Sequence, residues 1–209
     1  MPPPGWIVIL NGPPRSGKSA IVEAIQDSFE GIWVNLGVDV FSRCVTPARY
    51  RPGIGLRPGG ELPEVEAVVP VLYAGLYESV AAHSRLGLNV AVDVGHHDAY
   101  SRPLQMLPDA AGRLAGLPVL FVGVHCPIEV VMARRDAGQP GREERYETSR
   151  ADGSIPEPVH RWQETVHVPG VYDLEVDTSV LTPAECAEAI STRLHNNPPP
   201  PAFRRLAGP

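Results

Sequence analysis

Residues Gly12-Pro13-Pro14-Arg15-Ser16-Gly17-Lys18-Ser19 spell G-x-x-x-x-G-K-S, and both flanks suit that loop. Ahead of it, Trp6-Ile7-Val8-Ile9-Leu10 is a short, unbroken apolar run rich in β-branched residues, the composition of a strand buried on both faces. Behind it, Ile21, Val22, Ile25 and Phe29 recur at helical spacing from Lys18 to Phe29, and Gly31 closes the segment. Strand, glycine loop and helix in that order build an anion cradle, because loop and helix N-terminal amides converge on one point. Gly12, Pro13, Pro14, Arg15, Ser16, Gly17, Lys18, Ser19 and Ala20 are therefore the expected nucleotide-binding set. Lys18 reaches the β/γ-phosphates, and the Ser19 hydroxyl is a ligand for Mg²⁺. ATP and Mg²⁺ are the expected cofactors.

The rest of the chain alternates between the two periodicities. Further strands are expected at Ile32–Leu36, Leu88–Val94, Pro118–Val124 and Tyr172–Val176. Helices are expected at Glu64–Leu86, Arg102–Leu114, Ile128–Asp136, Pro158–His167 and Pro183–Leu194, the last capped by Thr182. Pro70 implies a kink or a later start in the first of these, and Pro108 and Gly112 interrupt the second. Such alternation predicts an α/β fold, a parallel sheet with helices on both faces, as one domain over residues 1–195. Residues 40–63 read as an irregular loop, 134–156 as a lid, and 196–209, with four consecutive prolines, as an extended mobile tail.

Charge narrows the partners. Lys+Arg 18 against Asp+Glu 24 leaves a net −6, so neither nucleic acid nor a membrane surface is an expected partner. Cys44, Cys126 and Cys186 are far apart and form no zinc spacing, and the N-terminal apolar run is too short for a leader or a span. A cytoplasmic location is expected.

Phosphoryl transfer also needs a base, a metal ligand and positive charge. Asp39 follows the second strand, at the carboxyl edge where α/β sheets bind ligands, and is placed to take a proton from an acceptor hydroxyl. A helix cap or solvated loop residue is the alternative reading of that position. Asp93, near the end of the third strand, suits the magnesium with Ser19. The lid supplies Arg134, Arg135, Arg142, Arg145 and Arg150, of which Arg134 and Arg142 are the chosen catalytic pair. His96 and His97 follow Asp93 and stand where an acceptor would be contacted; adjacent histidines with no second cluster do not make a metal site. Cys126 is expected to pack as a small apolar residue.

Ile9-Leu10-Asn11-Gly12 through Ser19, Leu36-Gly37-Val38-Asp39, Val122-Gly123-Val124-His125-Cys126 and Tyr172 to Thr178 together resemble the chloramphenicol phosphotransferase-like family over about residues 6–195. The resemblance implies a P-loop kinase fold, transfer of the ATP γ-phosphate to a hydroxyl of a small molecule, and Asp39 as the catalytic aspartate. It also implies chloramphenicol or a related antibiotic as acceptor, hence a role in resistance or self-protection. Arg43, Arg49, Arg51 and Arg57 in the 40–63 segment would instead suit an anionic acceptor, unless they are ordinary surface charges. A nucleotide-sugar kinase of zeta-toxin type and a non-kinase nucleotide switch remain the alternatives. The sequence lacks the N-K-x-D motif of GTPase switches.

Overall fold

The computed structural model describes residues 2–50, 66–138, 147–196 and 201–207. Five strands form one parallel sheet in the order β2-β3-β1-β4-β5: β1 (Ile7–Asn11), β2 (Trp33–Asn35), β3 (Asn89–Val94), β4 (Val119–His125) and β5 (Leu174–Asp177). β1 is central, with Ile9 opposite Val92 on one side and Phe121 on the other, and every residue of β1 is buried. That is why Trp6–Leu10 reads as an unbroken apolar run rather than an alternating one.

The pleat sends alternate side chains to two cores. Ile7, Ile9, Val90, Val92 and Phe121 face α3 (Val69–Arg85) and α4 (Met106–Arg113), where Leu76, Tyr77, Val80, Leu107 and Leu114 meet them. Val8, Leu10, Ala91, Leu120 and Val122 face α1 (Lys18–Ser28) and α7 (Pro183–His195), through Ile21, Val22, Ile25, Cys186 and Ile190. The α/β fold with a parallel sheet covered on both faces is the one expected from the sequence. The α7 start is also as expected: Thr182 accepts from the Glu185 amide, and Glu185 returns a carboxylate to the Thr182 amide, a complete capping box.

Four expectations change. Residues 38–45, placed mostly in an irregular loop, form α2 (Val38–Val45), followed by a 3-10 turn, Ala48–Tyr50; residues 51–65 lie outside the described chain. Two turns are too few for periodicity to show, yet Asp39 in the first turn and Arg43 in the last both favour the helix dipole. α3 begins at Val69 with Pro70 in its first turn, the later start that Pro70 allowed. α4 begins at Met106 rather than Arg102, so Pro108 falls among the first four residues, whose amides have no intrahelical partner in any case.

The fourth concerns the C-terminal segment. Ala202–Leu206 form a short helix, α8, not an extended tail. Phe203 is 3% exposed and meets Phe121 edge to face at 5.2 Å, covering sheet that α3 and α4 leave open. Asp173 fixes the segment, one carboxylate oxygen accepting from the Phe121 amide at 2.9 Å and the other from the Ala202 amide at 2.8 Å. The Phe203→Ala variant is expected to lose about 3–5 kcal/mol of stability in urea denaturation. An unchanged midpoint would mean that α8 is not part of the core.

Beyond β4 the chain continues as α5 (Ile128–Asp136) and α6 (Glu157–Thr165). Arg142 and Arg145, in the middle of the expected lid, lie outside the described residues.

Candidate active site

The glycine loop runs from the end of β1 into α1. Gly12 passes so close to β4 that a Cβ there would stand 2.3 Å from the Val124 carbonyl oxygen, so no other residue fits. Arg15 and Gly17 both take positive φ, 72° and 92°, the left-handed conformation from which anion-binding nests are built. Ser16 is fully buried, and its Oγ has no hydrogen-bond partner among the described residues. An orphaned hydroxyl in a glycine loop at the head of α1 is what a phosphate-binding loop leaves for its ligand.

Lys18 Nζ donates to the carbonyl oxygens of Gly12 and Pro13, both at 2.8 Å, folding the side chain over its own loop. Burial drives its pKa down to about 8, against the opposing pull of Asp93 and then Asp39, with Arg135 adding to the decrease. Lys18 thus feels the charges of Asp93, Asp39 and Arg135 together. Ser19 Oγ donates to Asp93 Oδ2 at 2.7 Å, so the two expected magnesium ligands stand together. Asp93 is 8% exposed, and its other oxygen presses on Gly37, where a Cβ would lie 1.6 Å away. A hydroxyl and a carboxylate are hard oxygen donors, few in number, which fits Mg²⁺ completing its shell with phosphate and water.

Topology brings Asp39 to the same place. β3 lies between β1 and β2, so the loop after β1, the residues after β3 and the start of α2 are neighbours at one sheet edge. Asp39 occupies the first turn of α2, half-buried, and its charge is felt by Lys18 and by Tyr73 of α3. Beside it, Val38, Phe41, Ser42, Thr46, Val69, Leu72, Tyr73 and Leu76 line a narrow cleft, open to solvent, between α2 and α3. Arg43 and Arg49 are exposed, and Arg49 lies over the ring of its neighbour Tyr50 at 4.6 Å.

The arginines divide differently from the sequence expectation. The Arg134 guanidinium donates to Thr178 Oγ1 at 3.1 Å and to the carbonyls of Thr178, at 2.7 Å, and Arg15, at 3.3 Å. Cys126 Sγ is a further partner at 3.3 Å, so the thiol is buried but does more than pack. Thr178 Oγ1 in turn donates to the Ser16 carbonyl at 2.7 Å, and the Arg15 guanidinium reaches back to the carbonyls of Arg134 and Gly138. Arg134 therefore braces the outside of the glycine loop against α5 and the segment after β5. Its neighbour Arg135, 6% exposed, is the one whose charge reaches Lys18. Helical phase separates the two, and no sequence signal ranked Arg135 above Arg134.

Among the described residues no group of three or more His, Cys, Asp or Glu side chains is arranged to hold a metal ion. His97 stacks on Tyr100 at 4.3 Å and meets the edge of Trp162, from α6, at 4.7 Å. Asn11, unremarked in the sequence, ties the sheet edge together: it donates to the Val166 carbonyl at 2.8 Å and to Tyr172 Oη at 3.0 Å, and accepts from the His96 amide at 2.7 Å. Among the described residues no helix is long and apolar enough to cross a membrane.

Residues 5–195 match the family described as chloramphenicol phosphotransferase-like protein. The chain is 27% identical over 224 residues, 98% of this chain and 88% of the relative, to a Mycobacterium tuberculosis protein named "Putative O-phosphotransferase". Among solved structures it is similar to Mycobacterium tuberculosis APS kinase in complex with AMPPNP and APS (TM-score 0.58, 16% identity, 93% of this chain and 100% of that one). It is also similar to the Deinococcus radiodurans tunicamycin resistance protein (TM-score 0.57, 18% identity, 95% and 100%). A third likeness is to Acinetobacter baumannii shikimate kinase in complex with shikimate (TM-score 0.54, 14% identity, 91% and 92%). The glycine loop on β1, the sheet order and these likenesses agree: the chain belongs to the chloramphenicol phosphotransferase-like family and is a phosphotransferase with the P-loop kinase fold.

Proposed function

We propose that the protein transfers the γ-phosphate of ATP to a hydroxyl group of a small, largely uncharged molecule. The observation that carries this reading is the convergence on Lys18 of two carboxylates, Asp39 from the β2 side and Asp93 from β3. Lys18 exchanges its two loop carbonyls for the β- and γ-phosphate oxygens of ATP, and the loop amides with Ser16 Oγ hold the same groups. Ser19 and Asp93 are the residues that would hold Mg²⁺, which supplies neutralising charge to the phosphates. Asp39 takes the proton of the acceptor hydroxyl as its oxygen bonds to the γ-phosphorus; the bond from that phosphorus to the bridging β-phosphate oxygen breaks, and ADP leaves. Arg135 faces the charge that spreads over the transferring group, Arg134 keeps the loop in shape, and Arg142 stays a candidate from the expected lid.

The acceptor is read from the cleft beside Asp39. Its walls are mainly apolar, with the hydroxyls of Ser42 and Thr46 among them, and Arg43 and Arg49 are exposed. That favours a neutral acceptor with an apolar arm, as chloramphenicol has, over the nucleotide sugar of a zeta-toxin-like enzyme. The free thiols of Cys44, Cys126 and Cys186 support a cytoplasmic location. The test offers γ-labelled ATP with Mg²⁺ and chloramphenicol, tunicamycin, shikimate, APS and a nucleotide sugar in parallel. Label on chloramphenicol or tunicamycin is the expected result. Label on APS or the nucleotide sugar alone would overturn the uncharged acceptor, and ATP bound with no label transferred would overturn the kinase.

Lys18 also sets a pH limit. A phosphate needs the ammonium form, which the free protein holds only below its pKa of about 8. Affinity for AMPPNP should therefore be flat below that pH and fall by up to about tenfold per unit above it, with a proton taken up on binding. Calorimetry in buffers of different ionisation enthalpy checks this; constant affinity up to about pH 9.5 would contradict it.

A further inference from the structure

His96 is 1% exposed, and its two ring nitrogens are in unequal situations. Nε2 is hydrogen bonded to the hydroxyl of Tyr77 in α3, and Nδ1 has no partner among the described residues. Burial holds the ring neutral, with a pKa near 3, and lifts the Tyr77 hydroxyl well above its ordinary value, so one proton sits on each partner. Two arrangements are then open. If Nε2 carried the ring proton, both the Tyr77 proton and the Nδ1 lone pair would be buried without a partner. If Tyr77 donates to Nε2, only one group is orphaned, an N–H at Nδ1. The second arrangement costs less, because each unsatisfied buried group costs about 1–3 kcal/mol.

That leaves a buried donor with nothing to donate to, on the side of the ring turned away from Tyr77. Its position is informative. Asn11, the residue before the glycine loop, holds the His96 amide. The ring packs at 5.0 Å from Tyr73, which lines the cleft beside Asp39. β3 lies between β1 and β2, so the residues that follow it fall between the phosphate loop and Asp39. Among the described residues the rings of Tyr73 and Tyr77 pack on the imidazole, His97 adjoins it, and Asn11 accepts from the His96 main-chain amide. A neutral imidazole offers a directed hydrogen bond without charge.

We propose that His96 Nδ1–H donates a hydrogen bond to an uncharged oxygen of the acceptor substrate, a hydroxyl, ether or carbonyl, and so orients the hydroxyl that Asp39 deprotonates. The assignment rests on the kinase reading above and adds to it a group that recognises the acceptor. Tyr77 acts behind it, as a positioning residue that fixes the tautomer.

Two measurements on the full chain test this and fail separately. In protein labelled with ¹⁵N-histidine, two-bond proton–nitrogen spectra read the tautomer of His96, assigned by the signals lost in His96→Gln. A neutral ring protonated at Nδ1 is expected; protonation at Nε2 would overturn the proposal with no acceptor needed. Next, each panel compound that takes label from ATP is assayed with His96→Gln and Tyr77→Phe. The acceptor KM should rise about 5- to 30-fold in His96→Gln, the loss of one buried hydrogen bond, and less in Tyr77→Phe, with the ATP KM unchanged in both. An unchanged acceptor KM, or an ATP KM rising in parallel, would overturn it, since loosened packing would not single out one substrate. If no compound takes label from the unaltered protein, the kinase reading fails, and the tautomer still decides whether His96 offers a donor.

Discussion

Asparagine in place of Asp39 should lower phosphoryl transfer by at least about 10²-fold, because the acceptor hydroxyl loses the group that takes its proton. The substitution is nearly isosteric and sits in the first turn of α2, so the fold and the glycine loop should persist. ATP should still bind at neutral pH. A second effect follows from the charge on Lys18, which Asp39 helps to sustain. Removing that carboxylate lowers the lysine pKa further, so the alkaline fall in nucleotide affinity should begin at a lower pH than in the unaltered protein. Transfer rates and an AMPPNP titration against pH measure the two effects separately. Undiminished transfer would remove Asp39 from the chemistry.

The Gly37→Ala variant should be nearly as damaging without touching any expected ligand. The new methyl would fall 1.6 Å from Asp93 Oδ1, so either the carboxylate swings away or the backbone before α2 retreats. In the first case the Ser19–Asp93 pair opens and magnesium loses its protein ligands; in the second Asp39 moves with its helix. Either way transfer should fall by about 10²-fold, as expected when a misplacement of about 1 Å reaches the reacting groups. Stability should drop by about 1–3 kcal/mol from overpacking. The Gly112→Ala variant is the control: nothing stands within 4 Å of its Cβ inside α4, so it should gain about 0.5–1 kcal/mol and leave the rate alone. Equal behaviour of the two alanines would show that the Asp93 contact does not matter.

Much of this site was legible because its signals are local. The glycine loop and its flanks occupy consecutive residues, and three strands show as apolar runs because both their faces are covered. Asp39 and Asp93 could be placed from their positions after or near the ends of strands. What stayed hidden depends on contacts between distant segments. The eight residues of α2 gain their reason to be helical from the α3 side chains across the cleft. Arg134 and Arg135 are adjacent in sequence and differ only in the direction each takes from α5. Asn11 drew no reading of its own, and its three hydrogen bonds join segments that no periodicity connects. The prolines before Ala202 hid α8, since they read as a run that could not return to the sheet.

That return has a consequence for the order in which the protein matures. Phe121 lies beside β1 on the strand that supports the glycine loop, and its cover, Phe203, is encoded far downstream. A nascent chain can assemble the strands and α1 early, but one patch of its sheet stays bare until the last helix arrives and Asp173 receives the Ala202 amide. Until then the Phe121 ring is exposed apolar surface on which a partly made chain can associate wrongly. Docking of α8 against Phe121 is then the event that seals it.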